Sequence, residues 1–379
     1  MANEGDDRKK AVEALSELRR QAAEAKEVIP SWIGNTPANG EEVDDDDLNV
    51  RFFNYAGFLH LPTFCSPDET AAMKQEMIRM VEEDWNPETD GLDSFGTNSK
   101  QNQARGDYFL ESATRVHFFA EPDAVVVDEK DGRKQLKEEF RNKKLLALNK
   151  VGHALHLSPG NIFHQYTLSS KIQSLVLKLG WKDPVVPQSM YIFKQARTGG
   201  PVTSHQDSTF LFSTPKQTCI GLWLALDDAT LDNGCLWVRP KSHCEPVRRQ
   251  YKRNSVHFGE ESIQARSNTA KGDLLAPKFV MTDLGANEIT WDGELPDGGS
   301  RDGLWKAGFV PVECKSGDLL VFTGTLDHLS LANTSDKERH TFQLHLVEGP
   351  REGVVWSPNN WLQYPDSQSF LSLLNENKR

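Results

Sequence analysis

Within the run His340–Val347, Thr341, Gln343 and His345 alternate with Phe342, Leu344 and Leu346. Successive side chains of a strand point to opposite faces. The run is therefore predicted to be a strand with one face on an apolar core and the other looking into a polar space. Gln188–Gln195, Thr218–Leu226, Cys235–Arg239 and Asp318–Phe322 are also strand-like and are separated by Gly, Asp and Asn turns. Several short strands in succession predict a sandwich or jelly roll from about residue 184 onward. Between them, about 250–305, lies a polar stretch containing Asp297-Gly-Gly-Ser-Arg-Asp-Gly303, predicted to be an insertion and an active-site lid.

Helices are predicted on the N-terminal side. Ser66-Pro-Asp-Glu69 has the residues of a capping box with proline at the first helical position. Met73, Met77, Met80 and Val81 follow at helical spacing and predict a core face. Ser170–Gly180 reads as a helix closed by its glycine. Lys134–His156 reads as mostly helical, while Phe52, Phe53, Phe58, Leu59 and Leu61 read as one strand-like run at the start of the folded part, near Arg51.

Charge separates a further segment. The chain has 379 residues and net charge −12, and residues 1–50 hold 13 acidic side chains against six basic ones. This segment is predicted to be an acidic extension, disordered or weakly helical over Lys9–Glu27, with Val12, Leu15, Leu18 and Ala22 as a thin apolar stripe. Residues 51–363 form the folded domain and 364–379 a tail. Such an acidic balance argues against nucleic-acid affinity. Short apolar runs give no membrane span. Five cysteines without C-x-x-C spacing predict reduced thiols in an intracellular, cytoplasmic protein. No secretory or C-terminal peroxisomal signal is seen.

The chemistry is predicted at His205-Gln206-Asp207. In an extended segment, positions i and i+2 share a face, so an imidazole and a carboxylate converge. His328, after the strand Asp318–Phe322, is the best third ligand. Two His and one carboxylate form a facial triad for iron(II); three protein ligands with an open position also suit catalytic zinc. Arg339 shares the polar face of the last strand with Thr341 and Gln343. A guanidinium aimed into a β cavity calls for an anion, and the carboxylate of 2-oxoglutarate is its expected partner. The competing partner is a salt bridge to Asp327, Asp336 or Glu338. A competing metal set is His153, His156 and His164, of which the first two are one helical turn apart.

Longer words then carry a resemblance: Lys150–His156, Gln188–Lys194, His205–Asp207, Asp228–Trp237, Lys241-Ser-His243 and Trp356–Gln363. Over roughly 51–363 the chain resembles the phytanoyl-CoA dioxygenase family of iron(II)/2-oxoglutarate oxygenases. The resemblance implies a mainly β fold with flanking helices and a double-stranded β-helix (jelly roll, cupin-like) core. It implies Fe(2+) held by His205, Asp207 and His328, with 2-oxoglutarate and molecular oxygen as cosubstrates. Arg339 matches the family's carboxylate anchor and Ser330 the hydroxyl beside it. Lys150, Met190, Gln206 and Trp223 match further cosubstrate-pocket residues. At Lys241 the family has glycine, so a different local turn is expected.

The implied activity is hydroxylation of an organic substrate with release of succinate and carbon dioxide. Halogenating relatives lack the carboxylate at the position of Asp207. The alternatives are a non-catalytic jelly-roll metal-binding protein and a zinc-dependent hydrolase. The expected partner is a small molecule, an acyl-CoA or another anion. The basic cluster Arg248, Arg249, Lys252 and Arg253 is one place to receive an anion, if it is not simply a solvated loop.

Overall fold

A computed structural model describes residues 4–25, 47–95, 106–128, 132–258, 277–285 and 292–374. The strands used below are β1 (Phe58–Leu61), β2 (Val116–Ala120), β3 (Leu148–His153), β4 (Pro184–Lys194), β5 (Val202–His205), β6 (Ile220–Ala225), β7 (Leu236–Val238), β8 (Arg249–Arg253), β9 (Phe279–Asp283), β10 (Val310–Val312), β11 (Leu319–Thr323), β12 (His328–Ser330) and β13 (Arg339–Glu348). The helices are α1 (Glu4–Glu24), α2 (Leu48–Ala56), α3 (Pro67–Arg79) and α4 (Ser170–Lys178).

Strand β13 is where the predicted alternation lies, and it runs near the middle of a nine-stranded sheet. The order is β1-β11-β6-β13-β4-β3-β2, ending in the short strand Asp93–Ser94, with Leu371–Ser372 added on β4. Phe342, Leu344 and Leu346 are fully buried on its apolar face. Each such side chain contributes roughly 1.5–3 kcal/mol through burial. The ring of Phe163 covers Phe342 at 4.8 Å. A second sheet, β10-β7-β12-β5, has four strands. The polar side chains of the two sheets meet: Asp207 faces His345 across 3.1 Å, and Arg339 faces Ser330 across 3.3 Å. The fold is mainly β with flanking helices, of jelly-roll type, and both sheets stay open rather than closing into a barrel.

Several local expectations hold for the physical reasons given. The Ser66/Glu69 capping box is present in both directions. Met73, Met77, Met80 and Val81 are buried. A wider turn over Met80–Asp84, closed by Trp85 N donating to Met80 O, lets two adjacent residues face inward. Gly180, at φ 102, follows the end of α4.

Others are corrected. Phe52 and Phe53 lie in helix α2, not in a strand with Phe58. Asp47 caps that helix by accepting from Asn49 N at 2.8 Å. Gly57, at φ 87, ends it and separates it from β1. Lys134–His156 is not mostly helical: it holds a hairpin strand, short turns, the four-residue helix Lys144–Ala147 and β3. Strand β3 pairs with β2 on one side and β4 on the other, so sheet pairing overrides local helix preference.

Within the segment expected to be disordered or weakly helical, residues 4–24 form a helix, and it docks on the domain. Trp305 Nε1 donates to Asp7 at 2.9 Å. Arg8 pairs with Glu313 at 2.9 Å, and Arg51 Nε donates to Ala22 O at 2.7 Å. Ala22 is buried, but Val12 is exposed, so the inward stripe is centred on Ala11, Leu15, Leu18 and Ala22. The acidic run up to Asp46 lies outside the described residues. So do 259–276 and 286–291 of the predicted insertion; the strands on either side of 259–276, β8 and β9, pair antiparallel. None of the five cysteines forms a disulfide. Among the described residues no helix is long and apolar enough to cross a membrane.

Candidate metal centre

His205 ends β5 and His328 begins β12, and the two residues are direct partners across these antiparallel strands. Asp207 follows in a short 3-10 turn that carries its carboxylate back between the two rings. His205 Nε2 is 3.5 Å from Asp207 Oδ1, and His328 Nε2 is 3.7 Å from the same oxygen. One ligand atom from each residue lies within 4.8 Å of the others.

The donor set fits a metal ion on the chain's own geometry. His205 Nδ1 donates to Thr203 O at 2.8 Å, and His328 Nδ1 donates to Leu326 O at 3.1 Å. Both tautomers are fixed with the Nε2 lone pairs turned toward Asp207. Burial, with His205 adding to it, pulls the pKa of His328 down to about 4, so it is neutral and ready to ligate. Burial opposes charge on Asp207, but His345 and His328 hold its carboxyl well below the usual range. Burial also opposes charge on His205, yet the neighbouring Asp207 raises its pKa. Gly221 keeps the space clear: a Cβ there would meet Phe322 Cε2 at 2.8 Å and Asp207 Oδ2 at 3.2 Å.

Sequence reasoning missed His345 as a site residue. Its Nε2 donates to Asp207 Oδ2 at 3.1 Å, and Gln188 Nε2 donates to its Nδ1 at 3.1 Å. A Gln188–His345–Asp207 chain thus orients the carboxylate and leaves Oδ1 for the ion. The signal was available, because His345 shares the polar face of β13 with Arg339.

Arg339 is 2 % exposed. Its Nη2 donates to Gly234 O at 2.8 Å and Ser330 Oγ at 3.3 Å. Its Nε has no partner, and no carboxylate lies within ion-pair distance among the described residues. The three candidate counter-ions are engaged elsewhere: Asp327 with Arg239 and Arg248, Asp336 with Arg197, and Glu338 beside His340 and Lys74. Burial lowers the guanidinium pKa to about 10, still far above neutral pH. The result is a charged, buried fork lacking an anion. Gly234 sits at φ 89, and a Cβ there would strike Lys194 Cδ at 2.6 Å, so glycine is required to present that carbonyl.

The sheet register places the remaining expected residues. Met190, Gln343 and Trp223 form one cross-strand row. Lys150, Ile192 and Thr341 form the next row. All six side chains share the face that carries Arg339 and His345. The ring of Trp223 lies 5.3 Å from the Arg339 guanidinium carbon. Lys150 is buried, with Nζ 3.0 Å from His153 Nε2 and 3.3 Å above the Phe95 ring. Burial drives its pKa well down.

Gln206 does not join this face. Its amide nitrogen donates to Thr325 O at 2.8 Å, and its oxygen accepts from Arg248 N at 3.1 Å. It braces the β5 end against the segment before His328. The competing set is not brought together either. His153 bonds Lys150 and Ser112, His156 bonds Ser189 and Tyr364, and His164 donates to His156 O.

The basic cluster is not a free anion receiver. Arg248 is 1 % exposed and pairs with Asp292 and Asp327. Arg249 pairs with Asp292, and Arg253 donates to Trp361 O. Lys241 adopts the left-handed conformation at φ 69 that glycine favours, and its Nζ donates to the Tyr55 hydroxyl at 2.6 Å.

Comparison with known proteins places this geometry in a family. The family model for phytanoyl-CoA dioxygenase (PhyH) matches residues 53–341. Phytanoyl-CoA dioxygenase 1 of Oryza sativa subsp. japonica is 37 % identical over 323 residues, covering 84 % of this chain and 93 % of the relative. Phytanoyl-CoA dioxygenase domain-containing protein 1 of Danio rerio is 36 % identical over 329 residues, covering 86 % and 98 %. Among solved structures, the epimerase SnoN in complex with Fe3+, alpha ketoglutarate and nogalamycin RO matches with a TM-score of 0.49 and 11 % identity, covering 86 % of this chain and 95 % of that one. The extent of the family match and of the sequence identity is decisive: the chain belongs to the phytanoyl-CoA dioxygenase (PhyH) family.

Proposed function

We propose that this chain is an iron(II)- and 2-oxoglutarate-dependent dioxygenase that hydroxylates a small organic substrate, with succinate and carbon dioxide as co-products. His205, Asp207 and His328 hold the iron. Arg339, with Ser330 beside it, grips the distal carboxylate of 2-oxoglutarate. Lys150, Met190 and Trp223 line the cosubstrate pocket, while Gln206 acts as a brace. The observation that carries the reading is Arg339, a buried guanidinium with no carboxylate partner among the described residues, facing the same space as two imidazoles and a carboxylate.

Ferrous iron with 2-oxoglutarate supplies the oxidising chemistry when bound. The chain's residues orient and shield. His345 and Gln188 fix the Asp207 carboxylate, and the two backbone carbonyls fix the imidazoles. Trp223 and Met190 exclude water beside the anchor. A zinc hydrolase would use the same three ligands but would leave Arg339 without a role. Because Arg248 and Arg249 are ion-paired within the fold, that cluster does not support an acyl-CoA or other anionic substrate.

The test is 2-oxoglutarate saturation in Arg339→Ala. Truncating a buried charged anchor costs about 2–5 kcal/mol, which is roughly 30-fold or more in half-saturation. Metal binding should be spared. Arg339→Lys should recover only part, since lysine keeps the charge but not the fork. An unchanged half-saturation in Arg339→Ala overturns the assignment.

A further inference from the structure

The structure also holds a second group of metal-binding character, on the other face of β13. We propose that Asp227, Glu338 and His340 form a site for a divalent cation of the zinc class, separate from the centre described above and independent of the dioxygenase reading.

His340 is next to Arg339 on the strand, so the two side chains leave opposite faces of the sheet. His340 is 5 % exposed. Its Nδ1 is 2.9 Å from the Tyr191 hydroxyl, and its Nε2 has no hydrogen-bond partner. That nitrogen points at two carboxylates. Glu338 Oε2 is 3.5 Å away, and ligand atoms of Asp227, Glu338 and His340 lie within 4.8 Å of one another. Asp227 is already oriented, because its Oδ2 accepts from the backbone N of His340 at 3.0 Å, which turns Oδ1 toward the cluster, where it accepts from Lys74.

A positive charge already stands here. Lys74 on α3 places Nζ 2.6 Å from Asp227 Oδ1 and 3.9 Å from Glu338 Oε1. The ammonium answers the carboxylates, and the imidazole nitrogen has only the Glu338 carboxylate nearby, at 3.5 Å and outside hydrogen-bond geometry. One nitrogen and two oxygen donors suit a borderline divalent ion, and positions left open would be filled by water. Lys74 is 27 % exposed and Glu338 46 %, so the lysine can swing out and an ion can enter past the glutamate. Asp227 and Glu338 also line a cavity of about 1280 Å³, in which seven carboxylates face three cationic side chains. Such a lining concentrates cations. Lys74 is thus the site's internal competitor, and removing it should favour the metal.

The test is equilibrium dialysis of the full chain against zinc chloride, with zinc counted per chain. Asp207→Ala disables the first centre, so one zinc should remain. Adding Glu338→Gln, at a half-exposed position, should weaken that zinc by about tenfold or more. Adding Lys74→Gln instead should tighten it by about tenfold, because a competing charge is removed. Melting temperatures confirm that each variant is folded. Absence of zinc from Asp207→Ala overturns the proposal. So does zinc indifferent to Glu338→Gln, or weakened by Lys74→Gln.

Discussion

Replacing His345 with leucine removes the donor that holds Asp207 Oδ2 and leaves the shape of the strand intact. The bond is 3.1 Å long, and both residues are buried. Water cannot readily replace the lost donor. A hydrogen bond to a charged group is worth about 1.5–3 kcal/mol, and loss of such an outer partner typically costs about 10- to 100-fold in metal affinity. At roughly 1.4 kcal/mol per tenfold, the two figures agree. His345→Leu should therefore bind ferrous iron about 10- to 100-fold more weakly in anaerobic titration, with the melting temperature checked in parallel. His345→Gln keeps an amide donor and should recover part of the loss. Gln188→Leu should cost less than His345→Leu, since it only frees the tautomer of a ring that stays in place. If folded His345→Leu bound iron within about twofold of the parent, the carboxylate would not depend on this chain and the reasoning would fail.

Three further outcomes follow from the geometry. Gly221→Ala pushes a methyl into Phe322 and Asp207, and should weaken metal binding in a folded protein; unchanged binding in the same titration would show that the space is not limiting. Lys241→Gly relieves a left-handed conformation at φ 69 at the loss of a contact with Tyr55; chemical denaturation should show stability unchanged or raised by up to about 1 kcal/mol, and a clear loss of stability would contradict it. Burial raises Glu348 to about 7 despite bonds from the amides of Lys182 and Asp183. Such a carboxyl is protonated in both states below its unfolded value of 4.5 and ionised in both above about 7, so stability falls as pH climbs between them. Glu121, also raised to about 7, acts in the same direction. Glu348→Gln should flatten part of that fall, and an identical slope in the variant would refute the assignment.

What could be read in the chain follows the range of the interactions involved. The capping box at Ser66 and the alternation of Thr341, Gln343 and His345 are written in neighbouring residues, and both elements lie where expected. His205 and Asp207 needed only strand geometry to be paired. Lys134–His156 failed because β3 is defined by its two partner strands, which local periodicity does not record. Helix α2 was missed although both of its signals, Asp47 before it and Gly57 after it, are local. Asp47 falls within the segment expected to be an acidic extension, whereas it caps the helix. The fate of Arg248 depends on Asp292 and Asp327, and Gln206 is engaged by residues 40 and 119 positions away. No spacing rule reaches that far.

The most direct measurement is succinate formed from 2-oxoglutarate under air, in the wild-type chain and in Asp207→Ala. The wild type should form succinate only when ferrous iron is supplied, and zinc should not replace it. Folded Asp207→Ala should form none above background. Succinate made equally well without iron, or equally well by Asp207→Ala, would contradict the assignment of His205, Asp207 and His328 as the iron centre.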